Sequence, residues 1–136
     1  MQSDKEIVQQ IAWHYLGRPY ICGGDSPEGF DCSGLVIECL KSVGVLPRKG
    51  DWTAEGLYQL CKPVPKPDPG ELVFWADESG KHVHVEICIG GELSIGASGG
   101  GSWAVDTKEA YKRGAYVKVR PIATRGGIVH YGNPYP

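Results

Sequence analysis

The amino-acid sequence predicts a single α+β domain, with helices gathered toward the N-terminus and packed on an antiparallel sheet built from the rest. Apolar residues recur at helical spacing as far as Cys61, and runs rich in β-branched and aromatic residues follow only afterwards. A connector carrying Pro63, Pro65, Pro67 and Pro69 separates the two regions. Helices and strands that are segregated along the chain favour an antiparallel sheet over a doubly wound parallel one. A chain of 136 residues holds one two-layer core and is too short for two, so residues 1–136 are expected to form one domain.

The elements follow in order. Ser3-x-x-Glu6 has the form of a capping box, and Ile7, Val8, Ile11, Ala12, Tyr15 and Leu16 then fall on one helical face until Gly17 supplies a left-handed stop. From Arg18 to Gly29 the glycines, Pro27 and Asp25-Ser26 argue for a loop without regular structure. That loop leads into Phe30-Asp31-Cys32-Ser33-Gly34, after which Leu35, Val36, Cys39, Leu40 and Val43 mark the apolar face of a second helix ending at Gly44. Cys32 therefore lies in a helical first turn. A short helix is expected over Thr53 to Cys61, and the alternating prolines that follow force an extended connection. Strands are expected at Leu72 to Trp75, Val83 to Ile89, Glu92 to Ile95 and Ala115 to Val119, with Gly90-Gly91 turning a hairpin. The tail after Pro121 shows no clear periodicity.

Bulk properties exclude several function classes. A formal charge of -2, with 22% charged residues, offers no basic surface for nucleic acid. No apolar run approaches membrane-spanning length, and Ser3-Asp4-Lys5-Glu6 opens a segment without the apolar core of a signal peptide, so a soluble chain without an export signal is expected. The five cysteines, Cys22, Cys32, Cys39, Cys61 and Cys88, are odd in number and form no C-x-x-C pair. Neither a disulfide framework nor a zinc finger is the natural reading, and the thiols are taken as reduced. His82-x-His84 has no completing Asp or Cys pattern, so no metal and no cofactor is expected. Gly99-Gly100-Gly101 lacks the lysine of a phosphate loop and reads as loop near a cleft.

A thiol attacks as thiolate, and a helix N-terminus favours negative charge, so Cys32 is expected to have a lowered pKa. Cys39 and Cys88 read as small core residues, as does Cys61; Cys22 stays ambiguous. A structural role for Cys32 also fits these residues alone. A base is available in Lys81-His82-Val83-His84-Val85-Glu86-Ile87-Cys88-Ile89, where strict alternation puts Val83, Val85, Ile87 and Ile89 on one face and His82, His84 and Glu86 on the other. A solvated polar face is the alternative. His14 falls on the polar side of the first helix.

Taken in series, three motifs resemble those of the NlpC-type (NlpC and p-sixty) papain-like peptidases. They are Gly17-Arg18-Pro19-Tyr20 with Gly23-Gly24 and Phe30-Asp31-Cys32-Ser33-Gly34-Leu35-Val36, then Pro69-Gly70-Glu71-Leu72-Val73-Phe74-Trp75, then His84-Val85-Glu86-Ile87-Cys88-Ile89-Gly90. The resemblance covers about residues 7 to 97. It implies a papain-like fold in which Cys32 is the nucleophile and His84 its base, with an acyl-enzyme intermediate. It further implies that Tyr20 touches substrate or oxyanion and that the backbone at Cys32 and Ser33 helps stabilise developing charge. The implied substrate is bacterial peptidoglycan, cut between D-γ-glutamyl and a diamino acid.

Two positions depart from the family pattern. The polar residue, most often histidine, that usually orients the imidazole from the next strand falls at Gly96, leaving Ser94, Ser98, a carbonyl or water as candidate orienters. Glu86 replaces the usual glycine, where it would raise the imidazole's pKa, line a subsite for a cationic substrate or simply be solvated. A catalytically silent wall-binding or phage-tail module, and an amidase or acyltransferase on the same fold, are therefore retained as alternatives. The expected setting is the cell wall, reached by lysis or on a virion, with phage tail proteins as a second partner class.

Overall fold

The computed structural model describes residues 2–26, 29–100, 104 and 106–136. Each expected helix forms, and each starts at a side-chain cap. In α1 (Asp4–His14) the Glu6 N–H donates to Ser3 Oγ at 3.2 Å, as the capping box requires. The following loop is not wholly irregular: β1 (Asp25–Ser26) and β2 (Gly29–Phe30) form a two-residue antiparallel ladder. It ends at Asp31, the N-cap of α2 (Cys32–Ser42), whose carboxylate accepts the Gly34 N–H at 2.7 Å. Thr53 caps α3 (Ala54–Leu60) by accepting the Gly56 N–H at 3.0 Å.

The strands are β3 (Lys62–Val64), β4 (Leu72–Ala76), β5 (His82–Gly90) and β6 (Leu93–Ser98), then β7 (Tyr116–Pro121) and β8 (Ile128–Asn133) after α4 (Thr107–Lys112). They form one antiparallel sheet in the order β3-β8-β4-β5-β6-β7. The expected meander accounts for β4 to β7, whereas β8 returns to lie between β3 and β4. The tail hid this strand because its apolar alternation is interrupted. Val129 and Tyr131 pack on one face, but Gly132 on the other must lack a side chain, since a Cβ there would lie 2.6 Å from Cys61 Cβ. Pro63 is tolerated because β3 is an edge strand.

Two apolar layers flank the sheet. Val8, Leu35, Val36, Leu40, Leu72, Phe74, Val85, Ile87 and Ile95 fill the space beneath the helices, each worth roughly 1.5–3 kcal/mol of burial. Val73, Trp75 and Cys88 pack on the opposite face with Ile122, Val129 and Tyr131. Burial on both faces explains why β4 reads as the unbroken apolar run Leu72–Ala76. The Lys5 ammonium closes one end of the helix layer, 3.0 Å from Glu71 Oε2.

Two details correct the expected register. The hairpin turns at Gly91 (φ 61°) and Glu92 (φ 62°), because Gly90 is still paired with Leu93 and a two-residue turn of this hand needs positive φ at both central positions. More consequential is a bulge in β5. Trp75 pairs with His84 but Ala76 with His82, so Val83 is skipped in the ladder. Strict alternation placed His82 beside His84 and Glu86. The bulge instead turns His82 to the helix side, stacked on Tyr58 at 3.9 Å and edge-on to Phe74, while His84 packs against Trp75 on the other face.

Candidate active site

Cys32 opens α2, 9% exposed, and its sulfur faces the backbone N–H groups of Val85 and Ser33, which favour the thiolate. Contact with Val85 brings the thiol to the residue next to His84. The expected fall in the thiol's pKa is nevertheless reversed: burial pushes Cys32 up to about 11. Asp31 shares the responsibility. As N-cap it takes up the Gly34 N–H, and its own negative charge opposes a second one at Cys32.

His84 is buried with its ring centroid 5.2 Å from that of Trp75. Its Nε2 donates to Glu86 Oε2 at 2.6 Å, and Glu86 Oε1 accepts the Ser94 hydroxyl at 2.7 Å. Burial holds the imidazole below its ordinary pKa, while the Glu86 hydrogen bond and charge oppose that effect. Burial pushes Glu86 the other way, but the hydrogen bond and charge of His84, the Ser94 hydroxyl and Arg120 leave it below the usual carboxylate range. Glu86 is therefore neither a solvated acid nor a subsite wall. Of the other candidate orienters, Ser94 binds Glu86 instead of His84, and Ser98 accepts from Arg120 at 2.8 Å.

Tyr20 lies within electrostatic reach of Cys32 and Asp31, half-buried on the loop before α2. Burial, and then those two groups, raise its phenol, which therefore remains a hydrogen-bond donor at any ordinary pH. Gly100 packs flat on the ring, where a Cβ would run into it, so this part of the glycine run does border the cleft. Gly101 lies outside the described residues. The Ser33 hydroxyl donates to Asp31 Oδ1 at 3.3 Å, which leaves the backbone of Ser33 as its contribution to the site.

Arg125 was not legible in the sequence. It follows the turn Ile122–Thr124 in the unpatterned tail, and its guanidinium lies 5.8 Å from the centre of the Trp75 ring. Its charge acts on Cys32, Tyr20, His84 and Glu86 together. No motif or spacing signals such a residue.

His82 belongs to a separate array. Its Nδ1 and backbone N–H both meet Glu55 Oε1 at 2.8 Å, and its Nε2 lies 2.8 Å from His130 Nδ1, which ties α3 to β5 and β8. The His82 backbone hydrogen bond first, then Gln59 and the imidazole, hold Glu55 down at about 2. A depressed carboxylate pKa adds stability above the unfolded value and loses it as pH falls through the folded one. Acid denaturation monitored by circular dichroism should therefore show stability draining away below about pH 4.5 toward pH 2, with a shallower slope in Glu55→Gln. An identical slope in the variant would remove Glu55 from the account. Among the described residues, no group of three His, Cys, Asp or Glu is placed to hold a metal ion, and no helix is long and apolar enough to cross a membrane.

Comparison with known proteins bears on this geometry. Residues 17–121 match the NlpC/P60 family. The chain is 36% identical over 114 residues to the bifunctional muramidase/DL-endopeptidase CwlT of Bacillus subtilis, covering 79% of this chain and 33% of that protein. It is 41% identical over 93 residues to the gamma-D-glutamyl-L-lysine dipeptidyl-peptidase of Bacillus subtilis, covering 64% of this chain and 29% of that one. The solved NlpC/p60 domain of the peptidoglycan hydrolase SagA superposes with a TM-score of 0.72 at 26% identity, over 95% of this chain and 98% of that one. The chain spans about a third or less of the length of the curated relatives it matches.

Proposed function

This chain belongs to the NlpC/P60 family, and on that premise we propose that it is a cysteine endopeptidase hydrolysing the stem peptides of bacterial peptidoglycan between D-γ-glutamyl and a diamino acid. The observation that carries the reading is the placement of the Cys32 thiol against β5 at Val85, beside a His84 whose Nε2 is already engaged. With the proton on Nε2, the lone pair of Nδ1 is left to take the proton of Cys32. The thiolate attacks the peptide carbonyl, the Tyr20 phenol and the backbone N–H of Cys32 and Ser33 donate to the oxyanion, and imidazolium returns the proton to the leaving amine. Water then hydrolyses the thioester with His84 again as base.

Support for the substrate class comes from two sides. The relatives include an enzyme named for the γ-D-glutamyl-L-lysine bond. Arg125 sets a half-buried cation beside the nucleophile, suited to the free α-carboxylate that a γ-linked glutamyl residue carries. The gap at Gly96 that favoured a silent module is occupied by Glu86, whose side chain fills the place a Cβ at Gly96 would take. Both Bacillus relatives are bacterial proteins, so nothing in them speaks for phage tail partners.

The test is digestion of purified peptidoglycan of the diaminopimelate and lysine types, with products read by mass spectrometry and Cys32-alkylated protein as control. New amino termini on the diamino acid support the reading; their absence from every chemotype would sink it, and ester or transferred products would favour the acyltransferase alternative. Tyr20→Phe is expected to lower kcat by about ten- to a hundredfold with little change in KM, because a donor to the oxyanion acts chiefly in the transition state. A KM effect alone would make Tyr20 a substrate contact.

A further inference from the structure

We propose that Glu86 is the positioning residue of the site, a carboxylate on the histidine's own strand that fixes the His84 imidazole from the space an orienting side chain on β6 would otherwise fill. This rests on the cysteine-peptidase reading above and names the third group that the sequence did not reveal.

Three observations carry it. Glu86 is only 2% exposed, and both of its oxygens are used, Oε2 by His84 Nε2 and Oε1 by the Ser94 hydroxyl. The carboxylate is thus held from two strands and has one orientation. Secondly, the register pairing Ile87 with Ile95 and Cys88 with Ser94 sets Gly96 across from Glu86. A Cβ at Gly96 would run into Glu86 Cγ and lie 2.8 Å from Cδ, so the glycine is what makes room for the glutamate. The two departures from the motif, Glu86 for glycine and Gly96 for a polar residue, become one exchange across a strand pair. Thirdly, the hydrogen bond and charge of His84, then the Ser94 hydroxyl and Arg120 of β7, keep the acid ionised despite its burial, and its charge is felt by Lys118 of β7 and by Arg125.

The chemical consequence follows from hydrogen-bond roles. An ionised carboxylate only accepts, so Nε2 must carry the proton and Nδ1 the lone pair. Once Nδ1 has taken the thiol proton, the same carboxylate stabilises the imidazolium against the desolvation that would expel its charge.

Glu86→Gln keeps the shape and removes the charge. It is expected to lower kcat by about a hundredfold with KM little changed, and to move the His84 titration, followed by 15N NMR of the imidazole, to lower pH. Glu86→Gly should be equally impaired, and Glu86→Gly with Gly96→His should recover most of the loss by returning the orienting group to β6. Unchanged kcat, titration and tautomer in Glu86→Gln would overturn the proposal, as would a double variant no better than Glu86→Gly despite a native circular dichroism spectrum. If the wild type cuts no peptidoglycan at all, the NMR titration and the pH dependence of Cys32 alkylation still decide the role of Glu86 separately from the substrate.

Discussion

Cys32→Ser and His84→Ala are each expected to lower kcat/KM on peptidoglycan fragments at least about a thousandfold, and the double variant should be little worse than the poorer single one. Non-additivity is the signature of two groups acting as one unit, because a base without its nucleophile has nothing to activate. Alkylation of Cys32 across pH isolates the cause. With His84 as the base, the proton lost by sulfur would pass to its Nδ1, so the apparent midpoint should belong to the pair and labelling of the wild type should proceed near neutral pH. In His84→Ala the thiol is left with its burial and with Asp31, both of which oppose the thiolate, and its midpoint should move up, well above neutral pH. Labelling of the variant should then rise about tenfold per pH unit through the neutral range. If His84→Ala labels as readily as the wild type near neutral pH, the helix N-terminus and the Val85 and Ser33 amides activate Cys32 unaided, and His84 is not its base.

Much of this site was legible because its parts are local. The apolar positions Leu35, Val36, Cys39, Leu40 and Val43 with the stop at Gly44 place Cys32 in the first turn of α2 whatever the tertiary structure does, and the structure agrees. What failed were inferences that needed a neighbour. Alternation assigned His82 to the face of His84, but the bulge at Val83 is a property of the pairing with β4, and no residue in β5 announces it. Helix polarity predicted an acidic thiol, but the balance is struck by burial, which depends on elements far along the chain. The strand Ile128–Asn133 was missed because Gly132 is chosen by the Cys61 side chain opposite, not by any periodicity of its own. Glu86 and Gly96 were each noticed as departures, yet only the β5–β6 register shows that they are two halves of one substitution.

The same dependence on a distant neighbour gives one substitution opposite signs at two helical glycines. In α3, a Cβ at Gly56 meets nothing nearer than Thr53 Oγ1 at 3.4 Å, an ordinary contact. Gly56→Ala should therefore gain the intrinsic helical preference of alanine, about 0.5–1 kcal/mol. In α2, a Cβ at Gly34 would run into the carbonyl oxygen of Gly24 and lie 2.8 Å from Asp31 Oδ1. Neither obstacle can retreat freely. The Gly24 carbonyl accepts the Asp31 N–H at 2.9 Å, and the Asp31 carboxylate caps the helix through the Gly34 N–H itself. Overpacking against backbone outweighs propensity, so Gly34→Ala is expected to cost about 3 kcal/mol and to lower Tm by about 10 °C. Activity should fall with it, since the displaced segment carries Tyr20 on one side and the cap of the Cys32 helix on the other. Thermal unfolding of the two variants beside the wild type checks the contrast, and a Gly34→Ala protein as stable as Gly56→Ala would show that the Gly24 loop yields and that the glycine is not what fixes Cys32 in place.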